Sequence, residues 1–296
     1  FRKLGIMNIR EIAIDILDEV INNNAFSNIV LDKTLSNENI SFYCSGLETT
    51  RQEKIKFISD YLETYDSLNV CIQDKWENCT QTHIEALLQT YLLDAVIVCS
   101  VVGVPDAILQ FLRQHLAYVL LLDHQTPLPI KNAYKTPTTL GYDRLAAAVG
   151  AYAMHPNKPL LVIDAGTAIT YDFVSPDNEF IGGNIAPGAT MRFSALHHYT
   201  QKLPRLSLPT DEVDMTLGNN TQTAIQMGVV NGIVYEIEGY IARLRAKYPE
   251  LLIFLTGGDA FFFERRVKSS IFVSPNLLLF GLHRILTYNK CLQKAE

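Results

Sequence analysis

The run "LVIDAGTAITYDFV", Leu161 to Val174, constrains the fold more than any other stretch of the chain. Branched apolar residues lead straight into a carboxylate, Asp164. A glycine and a threonine follow, and apolar and polar residues then alternate. That order predicts a buried strand, a tight turn and a second strand. The style recurs downstream. "EFIGGNIAPGATMRFSALHHYTQKLP" reads as a strand, a glycine-rich loop at Gly182-Gly183 and a helix, and "LLIFLTGGDAFFFERR" as a buried strand, a glycine turn and a helix start. Upstream, "DAVIVCSVVGVP" and "AYVLLLD" have strand composition, while "HIEALLQTYLL", "DAILQFLRQHL" and "RLAAAVGAYAMH" have helical patterning. Strands alternating with helices predict α/β layers.

A chain of 296 residues is long enough for two such layers of ordinary domain size. The punctuation "NKP" before the opening motif sets a boundary near Asn157 to Pro159. The expected division is 1–43, 44–157 and 158–296. The first segment is set apart by its period: Ile9, Ile12, Ile16, Leu17 and Val20 recur at helical spacing, with acids between them. Asn8 to Ile21 is therefore predicted as a helix ended by the Asn22-Asn23-Asn24 cluster, and "SNIVLDKTL" as a second short one. A further charged helix is expected from Thr49 to Tyr65.

Composition excludes several function classes. A net charge of −6 gives no general attraction to nucleic acid or to an anionic membrane. No apolar run approaches the roughly 20 residues that span a bilayer. The five cysteines are scattered without a Cys-x-x-Cys pair, which points to reduced thiols in the cytoplasm and away from zinc.

The chemistry is expected in the glycine turns. Glycine lets backbone N–H groups approach a ligand closely, and such groups suit phosphate oxygens. Asp164 reads either as a turn residue or as a carboxylate that organises a cation near phosphate. Thr167 either donates its hydroxyl to phosphate or satisfies the turn. In "NAYKTPTTLGYDRLAAAVGAY", Gly141 precedes Asp143 and Arg144 at the start of an Ala-rich helix. Asp143 there compensates the helix dipole or accepts a proton from a hydroxyl. Arg144 is able to hold a carboxylate bidentately.

The run "DHQTPLPIKNAYKTPTTLGYDRLAAAVGAY", with "LVIDAGTAITYDFV", "IGGNIAPGATMRFSALHHYTQKLP", "LTGGDA", "NNTQTAIQMGVVNG" and "SPNLLLFGLHRI", closely resembles the type III pantothenate kinases. The resemblance covers about Ala95 to Leu286. It implies the actin-like nucleotidase fold of acetate and sugar kinases, heat-shock cognate protein and actin: two related α/β domains, here with an atypical helical N-terminus, and ATP in the cleft between them. It further implies phosphorylation of pantothenate by ATP, the first step toward coenzyme A, by a cytoplasmic homodimer with substrate sites near its interface. Residue by residue it implies Asp143 as the base, with Tyr134, Gly141, Tyr142, Arg144 and Thr200 at the substrate. Asp164 matches a ligand of potassium or ammonium, and Gly166, Thr167, Gly257 and Gly258 line the nucleotide cleft. Magnesium is expected with ATP.

The family opens with a strand and a first phosphate loop close to Asp-x-Gly-Asn-Thr, and nothing between Phe1 and Asp94 matches it. Ala13-Ile14-Asp15-Ile16 has the apolar-acid beginning, but Leu17-Asp18 follows. "MNIREIAIDILDEVINNNAFSNIVLDKTLSNENISF" instead resembles the helical N-terminal domain of ribosomal-RNA cytosine methyltransferases. An alternative function is therefore a catalytically impaired pantothenate-binding or regulatory protein of the same fold. A third reading, an RNA-binding helical module fused to a kinase fragment, rests on the N-terminus alone, and the net acidity opposes it.

Overall fold

The computed structural model describes the backbone of residues 12–20, 23–32 and 75–76, and residues 80–100, 103–210 and 216–295. These fall into two compact units. The first comprises Phe1–Pro129, Thr136–Ala153 and Leu278–Glu296, and the second Ile130–Lys135 and Met154–Leu277. The last helix, from Leu278 on, belongs to the first unit, and the short stretch bearing Tyr134 belongs to the second.

The first unit carries a five-stranded sheet in the order β3-β1-β2-β4-β5, formed by β1 (Ile12–Val20), β2 (Asn23–Asp32), β3 (Lys75–Trp76), β4 (Ala95–Ser100) and β5 (Tyr118–Leu121). β4 is buried along its whole length and lies parallel to β5 and antiparallel to β2. Buried on both faces, it reads as the continuous apolar run that identified it. Helices α1 (Gln81–Thr90) and α2 (Asp106–His115) pack Ile84, Leu87 and Leu112 against Val96 and Val98.

The helix expected over Asn8 to Ile21 is corrected by the structure: Ile12–Val20 is a strand, paired antiparallel with β2 from Ile12↔Leu31 to Val20↔Asn23. The short helix expected in "SNIVLDKTL" is likewise strand β2 up to Asp32. The methyltransferase-like helical pattern therefore does not describe these residues. The physical reason is present in the sequence. Ile12, Ile14 and Ile16 also recur every second residue, β-branched side chains favour strands, and pairing with β4 through β2 decides between the two periods. The helix expected from Thr49 to Tyr65 lies outside the described residues.

α3 (Tyr142–Met154) buries every residue from Arg144 to Ala151. Its small side chains admit a close neighbour, α7 (Leu277–Ala295). A Cβ at Gly281 would stand 1.7 Å from the Ala146 carbonyl oxygen, so the two helix backbones meet there directly. This contact ties the C-terminal helix to the first unit.

The second unit carries a six-stranded sheet in the order β11-β10-β7-β8-β9-β6. The opening motif forms the hairpin β7 (Leu160–Ala165) and β8 (Ala168–Val174), turning at Gly166-Thr167. β9 (Glu179–Pro187) follows antiparallel, β10 (Leu252–Thr256) lies parallel to β7, and β6 (Lys131–Asn132) and β11 (Phe272–Val273) form the edges. Helices α4 (Ala189–His198), α5 (Thr221–Lys247) and the short α6 (Ala260–Glu264) pack on the sheet. On α5, Ile225, Val229, Ile233, Ile237 and Ile241 recur every fourth residue and are buried, the stripe an amphipathic helix needs. The Asn220 side chain caps it by accepting from the Thr223 N–H at 3.0 Å.

The glycine-rich loop expected at Gly182-Gly183 is also corrected, since both glycines lie inside β9. The register slips between Phe173 and Val174, leaving a bulge that Gly182 follows at φ +130°. Glycine here bends a strand and does not end it.

Candidate active site

In the first unit the candidate residues stand together at the start of α3. Gly141 leads into α3, and the Asp143 carboxylate turns back over it: a Cβ at Gly141 would lie 2.4 Å from Asp143 Oδ1. The same oxygen accepts from the Arg144 N–H at 2.9 Å. Asp143 thus occupies the first turn of the helix, where N–H groups are unpaired within the helix and the dipole favours a negative charge. Burial pushes the Cys99 thiol of β4 up, and the Asp143 charge adds to it. The end of β4 is closed by Ser100, whose hydroxyl donates to the Gly103 carbonyl at 2.7 Å. Tyr142 is half-buried beside Asp143, whereas Arg144 is 7% exposed.

In the second unit two glycine turns converge on Asp164. Gly257 has φ +93°, and a Cβ there would meet Asp164 Oδ1 at 2.4 Å and the Ala165 carbonyl oxygen at 2.5 Å. The Asp259 N–H donates to that Ala165 carbonyl at 2.9 Å, joining the turn after β10 to the turn after β7. Gly258 is exposed with nothing near a Cβ, so its backbone is open to a ligand. Thr167 is half-buried in the β7–β8 turn. The Asp259 carboxyl is pushed up by burial.

The donors fit a monovalent cation better than a resident divalent one. Asp164 Oδ1 and the Ala165 carbonyl oxygen lie together against Gly257, and no group of three His, Cys, Asp or Glu side chains able to hold a metal ion occurs among the described residues. One carboxylate with carbonyl oxygens suits a hard, singly charged ion, whereas calcium takes 6–8 oxygens, commonly from several carboxylates.

Tyr134 follows β6 and lies over β9: a Cβ at Gly182 would be 3.2 Å from its ring. Its N–H donates to Asn132 Oδ1 at 3.0 Å. Thr200 lies apart from the Asp164 turns. It follows the far end of α4, a helix about 15 Å long, and its hydroxyl donates to the Leu196 carbonyl at 2.6 Å.

One residue missed by the sequence reading belongs with these turns. Gly188 N–H donates to the Thr167 carbonyl at 3.0 Å, and a Cβ at Gly188 would fall 2.1 Å from the Gly166 carbonyl oxygen. Its signal was the Pro-Gly at the start of α4. The partner across which it packs is some 20 residues earlier, beyond the reach of local pattern.

Residues 37–243 match the family described as type III pantothenate kinase. The match begins well upstream of Ala95, where the motifs first become readable. A type III pantothenate kinase of Bacteroides fragilis is 50% identical over 206 residues, spanning 70% of this chain and 84% of its own. One from Flavobacterium johnsoniae is 40% identical over 214 residues, spanning 72% and 86%. Among solved structures, a conserved putative Baf family transcriptional activator from Campylobacter jejuni superposes with a TM-score of 0.45 at 24% identity, over 63% of this chain and 80% of that one. At that score the likeness carries no weight for function.

Proposed function

The chain belongs to the type III pantothenate kinase family, and from that premise we propose a role for each part of the site in moving the ATP γ-phosphoryl group to pantothenate. The enzyme phosphorylates pantothenate to 4'-phosphopantothenate, the first step of coenzyme A biosynthesis, and has the actin-like nucleotidase fold of its family. The primary hydroxyl oxygen of pantothenate forms a bond to the γ-phosphorus as the bond to the ADP oxygen breaks, and Asp143 takes the hydroxyl proton. Gly141, Tyr142, Arg144 and Tyr134 hold the substrate. Backbone N–H groups at Gly166, Gly257 and Gly258, with the Thr167 hydroxyl, receive phosphate oxygens. Asp164 holds potassium or ammonium, which supplies positive charge where phosphate negative charge must be neutralised. Magnesium arrives with ATP.

The observation that carries this reading is the Asp143 carboxylate folded over Gly141 at the start of α3. Asp143→Asn is expected to lower turnover about 10²-fold or more, as loss of a general base does, while pantothenate affinity measured by titration changes little. A variant with near wild-type turnover removes Asp143 from the mechanism.

The homodimer of the family accounts for an apolar surface and for Thr200. Ile181 and Ile185 on β9 are 47% and 65% exposed, and Met191 at the start of α4 is 46% exposed. Thr200 is assigned to the substrate by the same family resemblance, which sets substrate sites near the homodimer interface. The reading places the reaction where cellular ATP is available, in the cytoplasm. No helix among the described residues is long and apolar enough to cross a membrane. A second reading, a pantothenate-binding or regulatory protein impaired in catalysis, is favoured by one observation: Phe1 to Asp94 contains no Asp-x-Gly-Asn-Thr loop. Titration with pantothenate and with an ATP analogue, beside a turnover assay, separates the two.

A further inference from the structure

Pro187 closes β9, and Gly188 after it presses on the Gly166-Thr167 turn through backbone alone, as its 2.1 Å Cβ-to-carbonyl approach shows. Displacing residues 187 and 188 therefore displaces the turn beside Asp164. What fixes those two residues is Arg192, one helical turn further along α4. Its Nε donates to the Pro187 carbonyl at 2.8 Å. Its Nη2 donates to Glu236 Oε2 on α5 at 2.6 Å. Its Nη1 lies where Gly232 leaves room, 3.8 Å from the position of a Cβ there.

The anchor behind Glu236 is rigid. Ile233 and Ile237, on either side of it in α5, are wholly buried in the core of the unit. Tyr171 of β8 is buried nearby, and its phenol is pushed up first by burial and then by the Glu236 charge. An exposed ion pair contributes little to stability, about 0–1 kcal/mol. This pair is only 22% and 27% exposed, and the planar guanidinium uses two edges at once, one for a carbonyl and one for a carboxylate. A lysine ammonium has no such fixed fork.

We propose that Arg192 and Glu236 are positioning residues for phosphate binding: together they hold Pro187-Gly188, and through them Gly166 and Thr167, in the geometry that receives nucleotide phosphate oxygens. The ligand in this statement rests on the kinase reading above, whereas the mechanical link rests on the contacts alone. Supporting contacts of this kind matter because a site held loosely by even 1 Å loses much of its effect.

Two measurements on the full chain test it. Hydrogen exchange without ligand reports the link, and titration with a non-hydrolysable ATP analogue reports its consequence. Arg192→Met is expected to speed exchange at the Gly188 amide about tenfold or more and to weaken analogue binding roughly 10- to 100-fold, the usual scale for outer-shell partners. Pantothenate affinity should move far less. Arg192→Lys keeps the charge but not the fork, and is expected to resemble Arg192→Met. Glu236→Gln keeps an oxygen that accepts the Nη2 bond and should stay within about threefold of wild type. Unchanged Gly188 exchange in Arg192→Met, or faster exchange with unaltered analogue affinity, overturns the proposal. So does a variant that merely melts lower while both ligands bind as before. A wild-type chain that binds no nucleotide sinks the kinase reading, and the exchange measurement still decides the link.

Discussion

Asp164 shows how one side chain can be read locally and still depend on distant backbone. Its place at the tip of an apolar strand is written in "LVIDAG", because strand, acid and glycine are neighbours in sequence. Its packing against Gly257 at φ +93° is not written there, since the two meet only when β10 pairs with β7 through Thr256↔Asp164. If this carboxylate holds a monovalent cation, Asp164→Ala should abolish any stimulation of turnover by potassium or ammonium. Initial rates in potassium, ammonium, sodium and choline salts check this directly. Equal rates in all four for the unmodified protein would contradict it. Gly188 and Arg192 escaped the sequence reading for the same reason. Their partners, the 166–167 turn and Glu236, are supplied by a hairpin and by a second helix, and no residue pattern nearby announces either.

At the scale of elements, glycines in helices separate packing from propensity. Gly281 in α7 and Gly228 in α5 both sit inside helices, where alanine is intrinsically better by about 1 kcal/mol. A Cβ at Gly281 would strike the Ala146 carbonyl oxygen at 1.7 Å, whereas one at Gly228 meets nothing within 4 Å. Overpacking against backbone costs about 1–3 kcal/mol or more, so the clash wins at Gly281. Gly281→Ala should destabilise the chain and Gly228→Ala should stabilise it by up to about 1 kcal/mol, as read from denaturant midpoints. Shifts of the same sign would show that the α3–α7 approach is not what fixes Gly281. The elements were legible where one period dominated: β4, β7, β8, β10 and the helices α1 to α4 lie where patterning puts them. β1 was not, because Ile12, Ile14 and Ile16 alternate within a run that also satisfies helical spacing. Only pairing with β2 resolves such a double pattern. β9 misled in the opposite way, since glycine suggests a loop where a bulge in a strand was needed.

At the scale of the whole molecule, each unit carries its own group of candidate residues. The first carries the carboxylate at the start of α3, and the second carries the turns around Asp164. Phosphoryl transfer asks little covalent chemistry of a protein and much positioning and charge stabilisation. The last helix, remote in sequence, returns to the first unit, where Gly281 packs against the Ala146 backbone of α3. The most direct measurement is therefore product formation itself, followed by mass spectrometry with pantothenate, ATP, magnesium and potassium present. The expected result is 4'-phosphopantothenate and ADP accumulating in equal amounts, with formation reduced about 10²-fold or more in Asp143→Asn. Pantothenate binding without any phosphorylated product would contradict the account.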